Sequence, residues 1–129
     1  MNREELKKRT KEFALRVIRL VDALPSTIAG RSIGNQIMRS GTSVAANYRA
    51  ACRARSKAEF TAKLGTVVEE ADETAFWLEI IAEAGILPKE KIDMLLQEAN
   101  ELSAIFVASR KTASKSSIIN HKSKIGDGK

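Results

Sequence analysis

The chain has 129 residues, 43% of them hydrophobic and 29% charged, which suits one soluble domain able to build a core without disulfides or structural metal. Aromatics at 5%, two prolines and many Ala, Leu, Glu, Lys and Arg residues favour helix over sheet. No apolar run reaches the roughly 20 residues of a membrane span. No signal peptide precedes Asn2-Arg3-Glu4-Glu5, and the single Cys52 excludes an internal disulfide, so a cytoplasmic protein is expected.

The net charge of +6 is segregated along the chain. Residues 1–30 carry +3 and residues 31–63 carry +6, whereas residues 64–109 carry −8 and residues 110–129 carry +5. Such division favours contact with a polyanion, or subunits that meet basic face to acidic face.

Residues 3–24 form the first predicted helix. Leu6, Thr10, Phe13, Val17, Leu20, Val21 and Leu24 recur at three- and four-residue steps, with Lys7, Lys8, Lys11, Glu12, Arg16 and Arg19 on the other face. Pro25 stops it, and Ser26 or Thr27 caps a second helix from about Ile28 to about Ala54.

This second helix divides into three stripes. Ile33, Ile37, Val44, Tyr48 and Ala51 are apolar; Gly34, Gly41, Ala45 and Cys52 form a row nearly without side chains, which predicts close approach of another backbone. Arg31, Asn35, Arg39, Thr42, Ala46, Arg49 and Arg53 share an arc of roughly 80°.

Ser56, with Glu59 three residues on, has the pattern of a capping box for a third helix. Phe60, Leu64, Val67, Ala71, Thr74, Leu78 and Ile81 face its core, while Phe76, Trp77 and Ile80 point away from that arc. An apolar surface on more than one side predicts a second buried contact, read here as a subunit interface formed by Phe76, Trp77 and Ile80. Gly85 ends the helix and Pro88 opens the next. The fourth helix covers 89–112, with Ile92, Leu95, Leu96, Ala99, Leu102, Phe106 and Ser109 inward. Residues 1–113 therefore make an all-α, antiparallel, up-down-up-down four-helix bundle, and residues 114–129 read as a flexible basic tail.

Nothing in this pattern provides for catalysis, a cofactor or a metal. The lone His121 falls in the tail, Cys52 lies on the small-residue row, and no Glu-x-x-His pair faces the core. The arginine stripe carries the functional content. Arg31, Arg39, Arg49 and Arg53 share a face, and Arg55, Lys57 and Lys63 extend it around the corner. These cations suit phosphates, or alternatively pair with Glu69, Glu70, Glu73 or the acids of another subunit. With no aromatics interleaved, nucleic-acid binding would be backbone-driven and salt-dependent.

The run Ser43-Val44-Ala45-Ala46-Asn47 followed by Tyr48-Arg49-Ala50-Ala51-Cys52-Arg53-Ala54-Arg55-Ser56-Lys57-Ala58-Glu59-Phe60, with Lys63-Leu64-Gly65, Glu69-Glu70-Ala71-Asp72-Glu73 and Trp77-Leu78-Glu79, resembles the bacterial four-helix bundle family, also called the 23S ribosomal RNA intervening-sequence proteins. The resemblance covers about residues 5–112. It implies a left-handed bundle assembled as a homopentameric barrel, similar to the accessory protein of diversity-generating retroelements, whose basic surface binds nucleic acid and reverse transcriptase. By that analogy Arg39, Arg49, Arg53, Arg55 and Lys57 become RNA contacts. The expectation is thus a non-enzymatic accessory protein that binds RNA more readily than DNA, with itself and a reverse transcriptase as further partners. The alternative is a structural oligomer or protein-partner adaptor whose basic and acidic faces pair between subunits.

Overall fold

A computed structural model describes the backbone of residues 1–127 and the side chains of residues 1–115. Four helices follow in order: α1 (Arg3–Asp22), α2 (Ile28–Ala51), α3 (Lys57–Glu83) and α4 (Lys89–Asp127). Consecutive helices are neighbours in space, and the three corners are short, so directions alternate up-down-up-down. The α1–α4 pair that closes the ring meets over a much shorter stretch than the other three.

Local chemistry sets the helix starts. Asn2 accepts from the Glu5 amide at 2.9 Å and forms a reciprocal capping box with it. Thr27, not Ser26, caps α2 by accepting from the Gly30 amide at 3.0 Å. Ser56 Oγ accepts from the Glu59 amide at 3.0 Å, while the Glu59 carboxylate takes the Arg55 amide at 3.3 Å rather than that of Ser56. This arrangement turns the chain without Gly or Pro. It also ends α2 at Ala51, so Arg53 and Ala54 join Arg55 in the corner and do not lie on the helix as the periodicity suggested. Gly85 has φ 69°, the left-handed conformation that terminates α3.

The core is the set of stripes read from the periodicity. Phe13, Val17, Ile37, Val44, Leu64, Val67, Leu78, Ile81, Ile92, Leu102 and Phe106 are buried, and the Tyr48 and Phe106 rings lie 5.0 Å apart. Among the described residues three hydroxyls are buried: Thr10 donates to the Leu6 carbonyl at 2.8 Å, and Ser40 and Thr74 pair with each other. Thr74 Oγ1 lies 2.9 Å from Ser40 Oγ and 2.8 Å from its own helix's Glu70 carbonyl, so the buried polar pair is satisfied.

The small-residue row on α2 does admit a close neighbour, and the neighbour is α1. A Cβ on Gly41 would meet the Val17 side chain at 2.8 Å, and one on Gly34 would meet Leu24 at 3.4 Å. What fills the space is thus a branched side chain, with the α1 backbone one layer behind it.

α4 continues past residue 112, where the periodicity ended it, because neither proline nor glycine interrupts residues 113–125. The side chains of the expected basic tail, from residue 116 onward and including His121, lie outside the described residues, as do residues 128 and 129 altogether.

Candidate nucleic-acid interface

The seven basic residues singled out by the sequence do not form one continuous site. Arg31 sits at the start of α2, about 27 Å along the axis from Arg49, and its guanidinium donates to the Ser26 carbonyl at 2.6 Å. Arg39 turns to α3, where one nitrogen donates to Glu70 at 3.2 Å and another makes a close ion pair with Glu73. Glu73 also accepts from the Trp77 indole at 3.1 Å. Arg39 is therefore a strut between two helices of the same chain. Lys63 is half-buried on α3 and belongs to neither of the grooves below.

Arg49 and Arg53 have different surroundings. They line an open groove of about 680 Å³ between α2 and α1, where Lys7, Lys8 and Lys11 face them. Thr42, Ala45 and Ala46 form its floor, small residues that keep the wall low. Glu4 is the one acid lining it among the described residues, and it pairs with Lys7 at 3.1 Å. Among the described residues Lys8, Lys11, Arg49 and Arg53 have no carboxylate partner. Four uncompensated cations on α1, α2 and the corner that follows α2 create a strip of positive potential suited to successive phosphates.

Arg55 and Lys57 line a second groove of about 660 Å³ at the α2–α3 corner. Arg3 completes its basic rim, and Ala51, Ala54, Phe60 and Ala108 supply an apolar floor. The Arg3 guanidinium lies over the Phe60 ring, 4.8 Å from its centroid. Arg3 and Glu4 are adjacent, and only Ala54 separates Arg53 from Arg55, so the two grooves flank one corner of the bundle.

The lysines of α1 and the Arg3–Phe60 pair were not assigned to the basic surface by the sequence. A signal existed for the lysines: on the helical wheel Lys7 and Lys11 share the flank of Ala14 and Val21, the flank that packs against α2. No single-helix pattern announces the Arg3–Phe60 contact, which joins residues 57 positions apart.

On α3, Phe76 is 49% exposed and stacks edge-on against Trp77, ring centroids 5.0 Å apart. Trp77 is half-buried against the core and tied to Glu73, so it points outward less than its helical position suggested. Ile80 is half-buried beside them. Burial, then the neighbouring Cys52 thiol, pushes the Tyr48 phenol well above its ordinary range and keeps it neutral. Among the described residues no cluster of three or more His, Cys, Asp or Glu side chains has the geometry of a metal site. No helix among them is long and apolar enough to cross a membrane.

The model of the 23S rRNA-intervening sequence proteins matches residues 3–108, which spans all four helices. The chain belongs to this family. A solved structure from Bacteroides thetaiotaomicron, described as a protein of unknown function from the S23 ribosomal protein family, is similar over 86% of this chain and 99% of its own. Identity is 30% and the TM-score is 0.78. No curated protein matches the sequence. As a member of the 23S rRNA-intervening sequence family, the protein keeps the four-helix architecture, and its grooves and ion pairs are those of its own residues.

Proposed function

We propose that this protein is a non-enzymatic nucleic-acid-binding accessory factor that grips the phosphate backbone of RNA in the α1–α2 groove. The observation that carries this reading is the set of Lys8, Lys11, Arg49 and Arg53, four cations lining one groove without carboxylate partners among the described residues. The family name, which refers to ribosomal RNA insertions, agrees with RNA as the polyanion.

Assembly belongs to the same proposal. The exposed Phe76 edge, with Trp77 and Ile80, forms an apolar patch on a helix otherwise rich in acids, the kind of surface a second copy covers. In a homopentamer the acidic α3 faces would lie toward the seams and the basic α1–α2 grooves would repeat around the rim, multiplying weak phosphate contacts. A reverse transcriptase is a compatible protein partner for such a rim.

The test is binding of structured RNA by the full chain across a salt series. Four phosphate contacts per groove predict a slope of log affinity against log salt of about −3 to −4 for one engaged protomer. Absence of binding at low salt, or a flat dependence, refutes RNA binding. Light scattering tests the assembly, which a monomer at micromolar concentration overturns.

The competing adaptor reading draws on the same exposed patch, with the basic groove meeting acids of another protein. Replacing Arg49 and Arg53 by Glu separates the two. RNA binding lost from an intact oligomer favours the RNA reading; an oligomer that dissociates, with no RNA phenotype, favours the adaptor.

A further inference from the structure

The corner groove differs in chemistry from the α1–α2 groove beside it. Where the latter is lined by cations and small residues, the former combines a basic rim with an apolar floor and an aromatic ring. Arg3, Arg55 and Lys57 form the rim, and among the described residues no carboxylate lines it. Its volume of about 660 Å³ falls within the range of small-molecule sites and greatly exceeds what one phosphate needs.

The arrangement at its mouth is specific. Phe60 is held half-buried against the core, so its ring is a fixed platform. The Arg3 guanidinium covers that platform from the N-terminal turn of α1. A planar cation already layered on an aromatic ring offers its outer surface for a third flat group. Ser56, Ser109 and Thr112 add hydroxyls around the same space, able to bond the edges of a heterocycle.

From this geometry we infer that the corner groove captures one unpaired nucleotide, its base stacked on the Arg3–Phe60 pair and its phosphate held by Arg55 and Lys57. The inference rests on the RNA-binding reading above and refines it. The strip between α1 and α2 holds duplex backbone without regard to sequence, and the corner groove selects a strand end or bulge next to that duplex. Charge complementarity identifies the occupant: a groove whose described lining carries three cations and no acid disfavours a cationic ligand, and a stacking platform is wasted on an anion without a ring.

The experiment uses the full chain and two RNA duplexes of equal length, one blunt and one carrying a two-nucleotide overhang that ends in 2-aminopurine. The overhang is expected to raise affinity about tenfold, in line with base–side-chain stacking, and the 2-aminopurine fluorescence is expected to be quenched on binding. Arg3→Lys keeps the charge at an exposed position but removes the planar group. It is expected to abolish both the overhang preference and the quenching while blunt-duplex affinity stays within about twofold. Phe60→Leu keeps apolar volume under the site and is expected to act in the same direction.

Equal affinity of the wild-type protein for blunt and overhanging duplexes overturns the inference while leaving the RNA-binding reading intact. Failure to bind either duplex at low salt removes both. Retention of full quenching by Arg3→Lys, or weakened binding of that variant to phosphatidylglycerol vesicles with the overhang preference unchanged, also overturns it.

Discussion

Two arginines on α2 separate the two kinds of basic surface in this molecule. Arg39 and Arg49 are ten residues apart on one helix and lie roughly 80° apart around its axis. That rotation brings Arg39 toward α3, where Glu70 and Glu73 stand one turn apart and neutralise it. The same rotation brings Arg49 toward α1, where Lys7, Lys8 and Lys11 add to its charge. Whether an arginine is a strut or a binding group is decided by the neighbouring helix. One face of α2 is structural and the other is available.

The variant that breaks this comparison most strongly is Arg49→Glu combined with Arg53→Glu. Both residues are exposed, so the thermal midpoint should move by no more than about 2 °C, while RNA affinity falls on the order of 100-fold by fluorescence anisotropy. A next, smaller effect tests why the groove exists at its present width. Gly41→Val forces a branched side chain against buried Val17 and is expected to cost about 1–3 kcal/mol in chemical denaturation, with weaker RNA binding as α1 is pushed away.

The Arg9 clamp on the opposite flank of α1 offers a contrast. Its Nε lies 2.8 Å and a terminal nitrogen 2.6 Å from the two Glu98 oxygens, a paired contact that holds Arg9 firmly in its charged form. Arg9→Ala should cost about 1–2 kcal/mol in the same denaturation measurement, with RNA affinity within about twofold. The smallest effect is expected at Arg39. Arg39→Gln removes a half-exposed strut and should cost at most about 1 kcal/mol, leaving RNA affinity and its salt slope unchanged. A large affinity loss in that variant would mean that Arg39 leaves its carboxylates to reach RNA.

The four helices and their core were legible because they depend on local periodicity and on caps. Thr27, Ser56 and Gly85 each act within a few residues of the turn they define, and Phe13, Leu64 and Phe106 follow their stripes. The basic site was legible only in part. A helical wheel places Arg31, Arg39, Arg49 and Arg53 on one arc, but it contains no information about what stands opposite. The pairing of Arg39 with Glu73 and the contact of Arg3 with Phe60 are tertiary, so no spacing within one helix encodes them. Trp77 is the opposite case: its indole bonds Glu73 one turn earlier on its own helix, a pairing that the spacing within α3 does carry.

The short contact between α1 and α4 has a further consequence for motion. α1 packs extensively on α2 but only briefly on α4, where the Arg9 clamp adds ion pairs, so it is the helix with the least to lose on opening. It also supplies Lys7, Lys8, Lys11 and Arg3, the half of each groove that faces α2 or its corner. The amides of α1 should therefore exchange with solvent faster than those of α2 and α3 in the free protein. Bound RNA would bridge α1 to the rest and slow that exchange selectively, so that the nucleic acid acts as the missing brace of the bundle.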